Sequence, residues 1–296
     1  MSKSRSFVPN RVLVVFRKST YQVLALERRD ARFLELIERR DATVRKMEII
    51  HEQHVRCLDR VREEFVRHRI AFDLVERSFQ NRLEAYDLIV TVGGDGTFLS
   101  ASHRIDTVPI LGVVSSDASV GHFCGANVET FGQILEELLA GRLSPVLLHR
   151  LEVQVGQTKI PERALNDVLL CHQNPAATSR YLVQLNGYEE EQKSSGVWIA
   201  SASGSTAAIG SAGGMVLPPR SRRIQFLVRE PYLRDSSGYR LRRGFLSPRQ
   251  RLVFASKMDK GLVFIDGHHI TYPFGFGERL SFGLSDQPLR VFGMRV

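Results

Sequence analysis

Three glycines and one carboxylate stand together in the run DLIVTVGGDGTFLSAS, residues 87–102. Gly93, Gly94 and Gly96 remove the obstruction of a Cβ and permit positive φ. Backbone amides can then approach phosphate oxygens closely. A helix starting at Thr97 or Phe98 adds the partial positive charge of its N-terminus. Asp95 is the unusual member. A carboxylate repels phosphate unless a cation bridges the two or the carboxylate has proton chemistry to perform. Asp95 can therefore accept a hydroxyl proton or orient a magnesium ion on a nucleotide. The structural alternative is a tight turn with a capping aspartate. The run is not a Walker A loop, since no G-K-[ST] follows, and it does not match G-x-G-x-x-G.

Two further groups carry chemistry. In ALNDVLLCH, Asn166 and Asp167 lead into the apolar run 168–170. A strand points neighbours to opposite faces unless the backbone bends. Asn donates and accepts and ionised Asp only accepts, which suits ribose hydroxyls or an adenine amino group; an Asn-Asp turn is the plainer explanation. In SGVWIASASGSTAAIGSAGGMVLP, residues 195–218, small side chains and hydroxyls crowd 201–214. Nothing large blocks a flat ligand from the backbone, and Ser205 with Thr206 reads as a helix entrance. A small-residue helix packed on a sheet explains the same composition. Arg223 and Arg229 follow, as candidates for neutralising phosphate or as a solvated face.

The elements that must position these residues differ between the halves. Residues 12–16 read as a buried strand, and 27–69 as one or two charged helices. Val44, Met47, Leu58, Val61 and Phe65 mark a stripe that also takes in His51 and His54. A histidine pair at this spacing without a third ligand reads as polar residues at a packing seam. Strands are expected at 87–92 and 107–114, and an amphipathic helix at 129–140 ended by Gly141. Strands alternating with helices predict a parallel α/β sheet in the first half. After about Pro145 the chain changes to short strands and turns, with one helix near 205–213. The expected organisation is an α/β domain over 1–145, completed by the tail 284–296, and a β-rich domain over 146–283.

Composition bounds the function. The chain has 296 residues and a formal net charge of +9, from 41 Lys and Arg against 32 Asp and Glu. That charge suits anionic partners, including phosphorylated small molecules. No nucleic-acid-binding signature is visible, so no nucleic-acid partner is expected. No stretch approaches the roughly 20 apolar residues of a membrane-spanning helix, and no membrane partner is expected. The apolar part of the N-terminus is shorter than the roughly 7–15 residues of a signal-peptide core, which makes a cytoplasmic protein the default. Cys57, Cys124 and Cys171 show no zinc or disulfide spacing and read as free thiols.

Together the motifs GGDGT (93–97), LNDVLL (165–170) and SASGSTAAIGSAGG (201–214) resemble the NAD kinase family, within the larger group holding diacylglycerol kinases and 6-phosphofructokinases. The resemblance spans 87–267. It implies an α/β domain and a β-rich domain forming a cleft, in which ATP with Mg2+ or another divalent metal phosphorylates the adenosine ribose 2′-hydroxyl of NAD or NADH. It assigns Asp95 as the base. It implies that Gly93, Gly94, Gly96 and Thr97 handle phosphate, and that Asn166 and Asp167 hold a ribose or neighbouring groups. Ser205, Thr206, Ala207 and Ser211 are implied to line the dinucleotide pocket, partly from a neighbouring subunit of a homo-oligomer, a dimer or tetramer. The chain departs from the family pattern in four places. Asp167 replaces the usual Glu, Ala208 the usual Tyr, Gly125 a Phe, and Ser195-Gly196 an Asp-Gly. These variants resemble the branch holding plant NADH kinases and animal mitochondrial enzymes. Two other readings compete: a lipid or sphingoid kinase of the same GGDGT group, and a non-catalytic NAD(P)-binding regulator.

Overall fold

The structure, a computed structural model, describes residues 7–77, 83–232 and 238–294. The chain divides into two compact units. One takes in the chain up to Val146 and the segment from Arg290, and the other takes in Leu147–Leu289.

The first unit is built on a parallel sheet. Its order is Ala71–Glu76, Arg11–Phe16, Leu88–Gly93, Ile110–Val114 and Leu289–Phe292, with Val146–Leu148 last; Cys124–Asn127 pairs off Ile110–Val114. The central strands are apolar throughout, as strands covered on both faces must be: Leu88–Gly93 is buried at every position. The strand expected over 107–114 begins only at Ile110, because Pro109 has no N–H to give the ladder. The charged stretch forms Ala31–Glu38 and Met47–Arg67, preceded by a π-helical turn at Gln22–Glu27. The long helix buries His54, Cys57, Leu58, Val61 and Phe65. Val44 and Met47 leave the predicted stripe for a separate small cluster with Ala25 and Phe33. Glu64, also buried, is held by Arg60 at 2.6 Å and Arg67 at 2.7 Å. Helix Phe131–Leu139 ends as predicted at Gly141, whose φ is 70°. Its closing bonds, Arg142 N–H to Glu137 O and Gly141 N–H to Leu138 O, form a Schellman motif.

The second unit is a sandwich of two six-stranded antiparallel sheets. One sheet sends Val153, Tyr181, Val183, Phe254 and Phe282 inward, and the other Val168, Leu170, Ile199, Phe226 and Val263. The short strands expected in this half carry the sandwich, and they alternate with period 2: Leu252–Ser256 is buried and half-buried in turn along its length. The single helix expected near 205–213 is two pieces, a 3-10 turn Ser203–Thr206 and a short helix Ala208–Ser211. Ala207 separates them with ψ −141°, outside the helical region. Among the described residues, no helix is long and apolar enough to cross a membrane.

Candidate active site

In the first unit the GGDGT turn joins a buried strand to helix Asp95–Ser102. The helix starts two residues before the expected Thr97, with Gly94 as N-cap. Asp95 is thus the first helical residue, and the amides of Asp95 and Gly96 have no acceptor within the helix. The glycines are required mainly by space. A Cβ on Gly93 would overlap the Thr97 hydroxyl, and one on Gly94 would overlap the Ser119 hydroxyl. Gly94 is extended, with φ −111°, and Gly96 is helical, so the positive φ expected of them is unused. Gly96 is exposed, and nothing lies within 4 Å of a Cβ built on it.

Asp95 is half-buried. One of its oxygens accepts the Phe123 N–H at 2.9 Å. The Phe123 ring stacks on Phe98 of the same short helix, with centroids 5.3 Å apart. The loop leading to Phe123 is tied to the long charged helix. Gln53 donates to Asp117 at 2.7 Å and accepts the Asp117 N–H at 3.2 Å, and His54 Nδ1 meets the Ser115 hydroxyl at 2.8 Å. Burial, and after it the charge of His51, pushes His54 down to about 4, so it is a neutral packing-seam residue. The helix and loop wall a cavity of about 570 Å³ that also reaches Cys124, Gly125 and Gly293. Gly125, where the family has a Phe, cannot carry any side chain here, since a Cβ would overlap the Gly293 backbone. Burial, then the Asp95 charge and then Cys57, pushes the Cys124 thiol up to about 12.

In the second unit Asn166 and Asp167 stand where the chain enters strand Asp167–His172. The bend that lets both be used is made by Asp266, which sequence reasoning passed over. Its carboxylate accepts the N–H of Leu165, Asn166 and Asp167 at 2.8, 2.8 and 2.9 Å. Asp266 itself sits at φ 47° after strand Gly261–Ile265; the Asp-Gly pair at 266–267 was the available signal. Asp167 is buried. Burial first, and the Asp266 charge second, pushes it up to about 7. Near neutrality Asp167 therefore also exists protonated and can donate, which corrects its reading as an acceptor only.

The small-residue segment closes on the same turn. Ser203 donates to Leu165 O at 2.9 Å, and the Ser201 hydroxyl also bonds to Leu165 O. A Cβ on Gly204 would overlap Asn166 O. Ser205 is fully buried and turned inward, accepting the Leu217 N–H at 2.9 Å and donating to Ala202 O at 2.7 Å. Asn166, Asp167, Ala207 and Ala208 line a cavity of about 630 Å³ with Trp198, Phe264 and Arg229. Thr206 and Ser211 are exposed and do not line it. Arg229 lies over the Trp198 ring at 5.7 Å, and Arg223 lies instead over Phe245 at 4.5 Å.

A carboxylate at a glycine turn on a parallel sheet, in a chain that also carries a β-sandwich with a buried acid pair, is the pattern of a nucleotide-handling α/β kinase. The family model described as the ATP-NAD kinase N-terminal domain matches residues 12–143. The probable NADH kinase of Oryza sativa subsp. japonica is 34% identical over 232 residues, covering 71% of each chain. The NADH kinase of Arabidopsis thaliana is 36% identical over 230 residues, covering 70% of this chain and 72% of that one. The solved NAD kinase from Archaeoglobus fulgidus in complex with ATP shares the fold, with a TM-score of 0.69 at 21% identity over 95% of this chain and 93% of that one. Yeast NADH kinase complexed with NADH gives a TM-score of 0.65 at 16% identity, over 96% and 83%. The chain belongs to the NAD kinase family.

Proposed function

We propose that the protein transfers the terminal phosphoryl group of ATP to the adenosine ribose 2′-hydroxyl of NADH or NAD, giving NADP(H). The observation that carries the mechanism is Asp95. One of its oxygens is committed to the Phe123 amide, and the other takes no hydrogen bond among the described residues. That oxygen is the acceptor for the hydroxyl proton as attack on phosphorus proceeds. The amides at Asp95 and Gly96, at the positive end of the helix, receive phosphate oxygens. Transfer is in-line, so positioning and charge neutralisation supply most of the rate. A divalent metal carried with the donor would supply neutralisation of its phosphate charge, with Asp95, the carboxylate at the turn, able to orient it.

Asn166, Asp167 and Ala207 are the dinucleotide-binding set, with Trp198 and Phe264 as flat apolar surfaces for its rings. Ser205 supports them from behind through Leu217 and Ala202. NADH is placed first as acceptor because both plant relatives matched over most of the chain are named NADH kinases. A homo-oligomer is part of the proposal. One face of the second sheet carries a half-buried row of Phe264, Leu169, Trp198 and Leu227 in direct register, which suits a second copy of the chain. Light scattering on the purified chain measures this: a dimer or tetramer is expected.

The deciding experiment crosses NADH and NAD with ATP and polyphosphate, with diacylglycerol as a further acceptor. Product bearing a 2′-phosphate is expected from ATP. Phosphorylated lipid alone, or dinucleotide binding without turnover, would overturn the proposal.

A further inference from the structure

A phosphoanhydride chain carries several negative charges, and the GGDGT turn offers amides but no cation. The register of the parallel sheet shows where cations stand. Phe16 pairs with Val92 on one side and with Glu76 on the other. Beyond that register the next residues are Arg17, Gly93 and Arg77, one on each of the three chain segments. The ladder reaches that level, since the Arg77 N–H donates to Phe16 O at 2.7 Å. Arg17 and Arg77 thus follow paired strand ends at the carboxyl edge of the sheet, on the side of the strand that leads into the glycine turn.

This edge is at the right place for a ligand. The strand order, Ala71–Glu76, Arg11–Phe16, Leu88–Gly93, Ile110–Val114, reverses between the second and third of these. In open α/β sheets ligands bind outside the carboxyl ends of the strands at such a switch point. Beside the turn on its other side, the Ser119 hydroxyl fills the position of a Gly94 side chain, and the Phe123 amide holds Asp95. A phosphate chain whose last group lies at Gly94–Gly96 meets two guanidinium groups if it extends toward Arg17 and Arg77.

The two arginines share a cavity of about 330 Å³ with Lys18, Thr20 and Glu76. The carboxylate there is already matched: Lys18 pairs with Glu76 at 3.7 Å and with Glu27 at 3.0 Å. Arg17 is exposed and forms no salt bridge among the described residues. Its charge, after burial, pushes the Arg77 guanidinium down, with Glu76 acting in the opposite sense, and both guanidinium groups line the same cavity. An anion between them relieves that repulsion.

We propose that Arg17, with Arg77 beside it, clamps the phosphoanhydride chain of the phosphoryl donor. The assignment deepens the kinase reading and rests on it for the identity of the reaction. The source of the chain is either ATP or inorganic polyphosphate, and both are tested.

The test uses the full chain and the variants Arg17→Gln, Arg17→Lys and Arg77→Gln. Steady-state rates with NADH and ATP are paired with titration of ATP and of inorganic tripolyphosphate. Arg17→Gln is expected to raise KM for ATP about tenfold or more, as loss of a charge-assisted phosphate contact does. KM for NADH should stay within about twofold. Arg17→Lys should recover part of the loss, because it keeps the charge without the fork. Tripolyphosphate binding weakened in step with ATP places the contact on the chain; ATP weakened alone places it on the nucleoside and overturns the clamp. Unchanged affinity for both in Arg17→Gln with a native melting temperature also overturns it, as does an equal rise in KM for NADH. Should the wild type bind ATP without turnover, the kinase reading fails while the binding titrations still decide the clamp.

Discussion

The two acid-bearing turns, one at Asp95 and one at Asp167, solve opposite problems. Asp95 stands half-buried at the start of a helix, among glycines whose side-chain space is used by Thr97 and Ser119. One of its oxygens is fixed and one is left available. Asp167 is buried beside a second carboxylate, Asp266, which takes the three amide hydrogens of the bend; burial first and that neighbour's charge second push Asp167 up to about 7. The first arrangement leaves one carboxylate oxygen available beside a helix N-terminus, where the proposed function brings phosphate. The second, by burial and a neighbouring carboxylate, favours a proton on the acid, which the proposed function sets against a ligand hydroxyl. The same residue type is therefore set to different work by its backbone and its burial.

The largest effect tests the first turn. Asp95→Asn keeps the Phe123 bond through its amide oxygen but removes the proton acceptor. Turnover is expected to fall by about a thousandfold or more, with dinucleotide affinity within about threefold in direct titration. Near-normal turnover would break the comparison at its stronger side.

A smaller effect comes from the packing of the second turn. Gly204→Ala puts a methyl group into Asn166 O, and backbone cannot yield as a flexible side chain does. A loss of about 2–4 kcal/mol is expected, read as a lower melting temperature, together with weaker dinucleotide binding. Retained binding in the folded variant would separate Asn166 from the ligand.

The smallest effect sharpens the acid pair itself. At pH 3 both the folded and the unfolded chain hold Asp167 protonated, and it costs nothing. As pH rises toward about 7 the unfolded chain ionises first, and the folded state loses stability; above about 7 the penalty is constant. Asp167→Asn should therefore stabilise the chain at pH 8 by on the order of 1–3 kcal/mol, and the gain should vanish near pH 4. His54 acts in the opposite sense, since its lowered pKa makes stability fall as pH drops from about 6.5 toward 4. The melting temperature of the two proteins across pH 4–8 measures both slopes. An equal melting temperature at pH 8 would mean that Asp167 is ionised at no cost.

The strand before GGDGT, the helix ended by Gly141 and the short strands of the second half are all readable in the sequence. Each depends on residues a few positions apart, where hydrophobic period and turn chemistry act directly. The three motifs that place the chain in its family are equally local. What the sequence left undecided lies in contacts between distant segments. Asp266 reaches the Asn166–Asp167 bend across about a hundred residues. Gly204 and Gly125 are glycines because other backbone passes against them, at Asn166 and at Gly293. Ala207 breaks the expected helix, and Ser205 turns inward, only once the sandwich is assembled. Arg17 and Arg77 come to one cavity only because their strands pair. Local pattern determines which elements form and which residues can do chemistry; pairing register and close packing, which no local pattern encodes, decide which of those residues meet.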